Sequence, residues 1–313
     1  MRQRPDPWWR HRFKLSGFQL ITLLAAAVVG LVLLGLAVEL YRNSQDARAA
    51  FGWGFLRSQA WDPVAGEFGA LPFIYGTVVS SLLALLLATP LGILTGIYLA
   101  ELAPPRWRAL LSFLVELLAA VPSVVYGLWG LYVMVPWLQE RIQPWLGERL
   151  GFLPLFAGAP YGISMMAGAL VLAIMIVPTI SAISRDVIAA VPRSQREAFL
   201  ALGATPMETI FRVVLPFARS GIAGAVILAL GRALGETMAV TMVIGNSPEI
   251  SVSLLAPAAT MASVIANEFA EATTELHRAA LMEIGVLLLV ISLLVNILAR
   301  WLLRRLQVVE GTR

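Results

Sequence analysis

The chain has 313 residues, 59% of them hydrophobic and 13% charged, with no cysteine and a formal net charge of +4. Soluble domains run at about 45–50% apolar and about 25% charged residues, so this composition belongs to a helical membrane protein. The absent cysteines exclude disulfides, thiolate metal sites and thiol redox chemistry, and the two histidines, His11 and His277, lie too far apart in sequence to suggest a metal centre. The basic residues are arginines apart from Lys14 and are scattered between apolar runs, which suits orientation in a bilayer and not nucleic-acid binding.

A hydrocarbon core of about 30 Å takes about 20 apolar residues of helix. Six runs qualify, at 18–38, 71–100, 110–137, 161–182, 221–245 and 279–301. Arg10, Arg12 and Lys14 precede the first run as they would in a secretory signal. The run is longer than the about 7–15 residues of a signal core, and no small-residue cleavage site follows closely, so it is read as a retained span. Before it, residues 1–17 carry Trp8 and Trp9 beside basic residues, which predicts an interfacial amphipathic segment. Thr89-Pro90 predicts a kink in the second span and Pro122 one in the third. The expected architecture is an all-α integral membrane protein with one six-helix domain over 18–301 and a short tail at 302–313.

Charge counting sets the expected topology. Segment 1–17, the 101–109 and 183–219 loops and the C-terminal tail counted with Arg300 carry 16 basic residues. The 39–70, 138–160 and 246–278 segments carry 6 basic against 10 acidic residues. By the positive-inside rule both termini are cytoplasmic, and the acidic 246–278 loop is external and reads as a solvated loop. Six helices alone fit a channel, a secondary transporter, a membrane enzyme or a pump subunit.

The long cytoplasmic loop, 191–216, narrows the choice. Ser194 lies three residues before Glu197, and Thr205 three before Glu208, which are two capping-box patterns. Pro206 stands at the favoured first position of the second helix, and Gly203 can supply a left-handed turn between the two. Two short helices at an angle are therefore expected. Their Phe199, Leu200, Leu202, Ile210 and Phe211 need a surface to cover them, either the cytoplasmic ends of the spans or a partner. Glu197, Ala198, Phe199, Gly203, Val213, Leu215 and Pro216 resemble the EAA signature of ABC importer permeases, with Phe199 in place of its third small residue and Val213 in place of its isoleucine. The resemblance implies an ABC importer permease-like bundle whose 191–216 loop docks on a separate ATPase. The chain's lone lysine, Lys14, follows Arg-His-Arg-Phe and not a glycine-rich turn, so the chain carries no Walker A site and, if transport is ATP-driven, another polypeptide is expected to bind ATP with its magnesium.

In the fifth run, Arg232 falls near the middle, about 17 Å from either end of a 221–245 helix. An arginine at that depth costs about 2.5–3.5 kcal/mol on insertion scales, so it must face a partner or a wet path. Glu236 follows at i+4, where it can pair with Arg232, and Ala225, Ala229, Gly235 and Ala239 keep that face small. Two readings stand: a buried ion pair that fixes packing, or an anion path in which the guanidinium meets a phosphate or sulfate oxyanion two-pronged. Glu116 and Ser123, beside the Pro122 kink, are further candidates for the path, while Thr89, Ser164 and Ser184 read as helix-packing residues.

Three stretches narrow the resemblance to the PstC-type permease subunits of phosphate ABC importers: Pro122-Ser-Val-Val-Tyr-Gly-Leu-Trp-Gly130, Gly231-Arg-Ala-Leu-Gly-Glu-Thr-Met-Ala-Val240, and Thr260-Met-Ala-Ser-Val-Ile-Ala-Asn-Glu-Phe-Ala-Glu271. The resemblance implies a subunit without covalent chemistry or cofactor of its own. It would sit in a bacterial or archaeal cytoplasmic (inner) membrane with a homologous PstA-type permease, a dimeric PstB-type ATPase and an external PstS-type phosphate-binding protein, carrying inorganic phosphate. The alternatives are a sulfate or molybdate permease and, in another class, an ATP-independent anion channel or secondary transporter, which leaves the capped loop without a use.

Overall fold

In a bilayer each backbone N–H and C=O must be satisfied within the protein, and the apolar runs satisfy them as helices. The computed structural model describes residues 17–308, with side chains as far as Trp301; the interfacial helix expected around Trp8 and Trp9 lies outside them. In chain order, α1 (Gly17–Asn43) is followed by α2 (Gln45–Phe51), a hairpin of β1 (Trp61–Asp62) and β2 (Glu67–Phe68), α3 (Leu71–Leu102), α4 (Pro105–Ala120), α5 (Ser123–Leu150), α6 (Met165–Ala189), α7 (Arg193–Ala201), α8 (Pro206–Leu234), α9 (Met238–Val243), α10 (Met261–Glu268) and α11 (Glu275–Val308).

Among the described residues, α1, α3, α6, α8 and α11 are each long and apolar enough to cross a membrane, and α4 with α5, taken as one broken span, supplies a sixth crossing. That span is not the kinked helix expected at 110–137. Its limbs meet at 91°, because Val121 and Pro122 both leave the helical region, with ψ of 130° and 141°. A proline pushes the residue before it toward extended backbone, and here the chain accepts that push fully. Pro90, by contrast, sits inside α3 without ending it.

The other boundaries shift as well. The fourth span starts at Met165 and runs on to Ala189, past the expected end at residue 182. The fifth begins at Pro206, so the second short helix of the cytoplasmic loop is the first turn of α8. It stops at Leu234, well short of residue 245.

Four π turns interrupt these helices, Tyr98–Leu102, Gly130–Met134, Leu138–Ile142 and Ile210–Val214. Each is followed two residues beyond its end by a proline: Pro104, Pro136, Pro144 and Pro216. Proline has no N–H to give and its ring strikes the carbonyl one turn back, so widening the preceding turn relieves both problems and lets the helix run on through Pro136, Pro144 and Pro216, whereas before Pro104 the helix has already ended with Ala103 extended.

Helices α3 and α6 form the most extensive packed pair. Their approach rests on small residues: a side chain at Gly96 would strike Ser184 at 2.7 Å. The buried core there joins Ala84, Ala88, Leu172, Ile176 and Ile180 with Ala229 and Ala233 of α8. Helix α1 buries none of its residues and packs against α11, leaving an apolar surface of the kind that faces lipid.

The 246–278 segment is not the solvated loop expected from its charge. Its backbone caps the start of α6, with Met165 and Met166 donating to Ala256 and Leu254 at 2.9 Å each. Thr77 of α3 accepts from the Met261 amide at 2.9 Å, and residues 258–264 are buried. Beyond it, Glu268 of α10 accepts from Trp61 Nε1 at 2.9 Å and meets His277 Nε2 at 3.0 Å, and His277 stacks on Phe68. These contacts fold the hairpin onto the start of α11.

Candidate functional site

The sequence-derived candidates fall into two groups in space. The first lies on α4, α5, the end of α6 and the end of α8, and supplies the polar wall considered below. Helix α8 ends at Leu234, and Gly235 leads into a break before α9. Arg232 stands in the last turn before that break, with its side chain exposed. Glu236 stands within the break, so the two do not share a continuous helical face and no ion pair joins them among the described residues. The expected i+4 pairing at the middle of a 221–245 span is therefore not formed. Glu236 instead accepts from the Ala239 amide at 3.3 Å and caps α9. Broken helices at membrane depth are tolerated where the irregular backbone is buried or lines a wet cavity.

Tyr126 of α5 joins this wall, a residue that sequence reasoning missed. Its ring is buried and its hydroxyl donates to Leu118 O at 2.8 Å, which ties α5 back onto α4 across the bend. Gly127 beside it lets α5 press on α9: a side chain there would meet Met242 Sδ at 2.6 Å and Ala239 Cα at 3.0 Å. Ser123, half-buried, opens α5 at the bend. Glu116 lies on α4 and is bound by Arg185 of α6, Nη1 to Oε1 at 2.9 Å. Arg185 also holds Asp186 at 2.7 Å. The structure therefore ties Tyr126 to α4 near Glu116 and gives Glu116 a partner of its own in Arg185. Of the residues read as packing elements, Ser184 is buried against Gly96, whereas Ser164 caps α6 by accepting from the Ala167 amide at 3.2 Å.

The second group is the cytoplasmic-loop candidate. Gly203 has φ of +89°, the left-handed turn expected of it. Thr205 and Glu208 form a complete capping box, Thr205 N to Glu208 Oε2 at 2.9 Å and Glu208 N to Thr205 Oγ1 at 3.3 Å, with Pro206 at the first position. The other expected box is absent. Pro192, with φ −58° and ψ 136°, occupies the N-cap position, so α7 has begun by Arg193 and Ser194 lies inside the first turn.

Arg196, also missed, fixes α7 in place. Its guanidinium donates to Glu101 at 2.7 Å, to Ile188 O at 2.8 Å and to Val191 O, linking α7 to the ends of α3 and α6. Glu197 and Ala198 are exposed and Phe199 is half-buried. Leu202 and Phe211 stand 83% and 58% exposed, while Ile210 is buried with Ile97, Ile188 and Val214. Leu215 packs at the edge of that cluster and Pro216 is exposed. The loop thus buries part of its apolar surface on the spans and leaves the rest open.

Comparison with known proteins shows the family and the fold. The family model described as binding-protein-dependent transport system inner membrane component matches residues 92–308. The chain is 48% identical to the phosphate transport system permease protein PstC of Mesorhizobium japonicum over 93% of its length and 90% of the relative's. It is 44% identical to that of Pasteurella multocida (95% and 93%). The probable PstC of the archaeon Methanocaldococcus jannaschii is 35% identical (93% and 94%). Among solved structures, a bacterial alginate ABC transporter bound to its alginate-loaded periplasmic protein shares the fold at TM-score 0.61 and 17% identity, covering 91% of this chain and 94% of that one. The MetNI methionine ABC transporter shares it at TM-score 0.55 and 16% identity, covering 74% and 94%.

Proposed function

The chain belongs to the binding-protein-dependent transport system inner membrane components, and on that premise we propose that it is the PstC-type permease subunit of an ATP-driven phosphate importer. It is a multi-pass membrane protein and not itself an enzyme. The observation that carries the substrate assignment is Arg232, exposed at a helix break in a membrane span, within a chain that matches PstC permeases along more than nine-tenths of its length. An exposed guanidinium in a span calls for a wet path or a partner. Its planar fork matches the oxygens of a phosphate two-pronged, as a lysine's point charge does not.

In this reading a homologous permease covers the polar wall and the two together enclose the path. Ser123 and the start of α5 line its bend, and Glu236 holds the α9 end in place. The exposed apolar surface of α7 and the first turns of α8 docks on the ATPase, which binds ATP and magnesium, and an external binding protein delivers phosphate on the opposite side. Both termini and the 191–216 loop are cytoplasmic.

Reconstituting the complete importer in proteoliposomes tests the assignment: labelled phosphate uptake that requires ATP and the binding protein is expected. Uptake of sulfate in preference to phosphate, or uptake without ATP, would overturn it. The absence of cysteine makes the topology testable in cells. An introduced Ser194→Cys should resist an impermeant thiol reagent applied outside, and its labelling there would reverse the orientation.

A further inference from the structure

We infer that Arg185 is a second oxyanion-binding residue on the path, with Glu116 as the carboxylate that the transported anion displaces. The inference rests on the phosphate-importer reading and deepens it. Three charged side chains meet where α4 crosses the end of α6, and all three lie in membrane-spanning helices. Arg185 is 17% exposed, while Glu116 and Asp186 are 56% and 66% exposed, so the guanidinium sits behind two open carboxylates. Open carboxylates on a span do not face hydrocarbon; they face a wet path or a partner.

Glu116 lies two residues before Leu118, whose carbonyl takes the Tyr126 hydroxyl across the bend. In the proposed path the two arginines are successive positive points, with Arg185 one turn from the end of α6 that leads into α7. Their surroundings differ. Among the described residues Arg232 has no ion pair, whereas Arg185 is held by two carboxylates, and the two-carboxylate set carries more negative than positive charge. An anion leaving Arg232 therefore meets repulsion unless one carboxylate gives way. A carboxylate and a phosphate present similar oxygen pairs to a guanidinium, so one can replace the other. Asp186, the sequence neighbour, stays attached to the same helix. Glu116 comes from α4, so its replacement exchanges an interhelical bond for an anion contact and frees α4 from α6. Return of Glu116 then expels the anion.

Uptake of labelled phosphate by the complete importer in proteoliposomes tests this, with copurification of the subunits as the check on assembly. Arg185→Lys keeps a cation for both carboxylates and loses the fork; uptake should fall tenfold or more in an assembled complex. The paired replacement Arg185→Met with Glu116→Leu removes all need for an ion pair, and its complex should assemble yet transport at least tenfold below the parent. Glu116→Gln still bonds Arg185 but no longer competes with the anion, so turnover should fall severalfold while the phosphate concentration for half-maximal uptake stays or drops. A mere clasp between α4 and α6 would leave turnover of Glu116→Gln unchanged and would let the apolar pair restore transport. Either result overturns the inference, including when Arg185→Lys fails to assemble. Failure of the parent complex to carry phosphate would instead overturn the underlying reading.

Discussion

The two ends of α8 are made in opposite ways. Its first turn is fixed several times over: Thr205 and Glu208 close a full capping box, Pro206 presets the backbone, and Ile210 and Val214 are buried against α3 and α6. Its last turn ends in Gly235 with an exposed arginine and no ion pair between Arg232 and Glu236. The first end holds a shape that a partner can push against. The second leaves a charge free for something that is not part of the chain. Substitutions at the first end should therefore act through geometry, and at the second through chemistry.

The sharpest test of this contrast is at the open end. Arg232→Ala should abolish phosphate uptake, and Arg232→Lys should lower it by about tenfold or more, because the ammonium keeps the charge and loses the two-pronged fit. Replacing Arg232 and Glu236 together by apolar residues of similar bulk should not restore uptake in an assembled complex. Recovery would mean that this end, too, is only structural.

At the fixed end, Gly203→Val should uncouple ATP hydrolysis from transport. Space is not the obstacle, since nothing lies within 4 Å of a side chain there; the positive φ is, at a cost of about 1–3 kcal/mol for a β-branched residue. Gly203→Asn tolerates the left-handed region and should keep most of the coupling. Equal coupling in both variants, read as the ratio of phosphate moved to ATP hydrolysed, would remove the turn from the argument. A smaller effect is expected of Thr205→Ala, which loses the cap and about 1 kcal/mol of local stability. Amide exchange should quicken at residues 207–209 with modest loss of coupling, and unchanged exchange would show that the box contributes little. Ser194→Ala should be nearly silent in uptake and in exchange, because α7 starts before it. A loss comparable to that of Thr205→Ala would mean that the first box does form in the working complex.

Much of this was legible in the sequence. The apolar runs located the spans, and glycine and threonine chemistry located the turn and the cap of α8. The misses share a cause. Hydropathy reports where side chains want to be and says nothing of the direction of the backbone, so the kink expected at Pro122 gave no hint of its 91° size, and the break after Leu234 lay unseen inside a continuous apolar run. Proline alone did not tell a tolerated position from a break, since Pro90 leaves α3 intact and Pro122 ends α4. Arg185 and Asp186 were hidden because ending the fourth span at residue 182 assigned them to a loop, where charge needs no explanation. Arg196 carried no sequence signal of its own; only the fold brings it to Glu101 at the end of α3.

The π turn at Ile210–Val214 holds one residue more than the α-helical turn it replaces. At 3.6 residues per turn, that extra residue rotates everything after it by about 100° about the helix axis. The compass bearing of Arg232 is thus set far upstream, next to Pro216, and removing one residue from the wide turn would swing the guanidinium round to another side of the bundle with no change made near it in the chain.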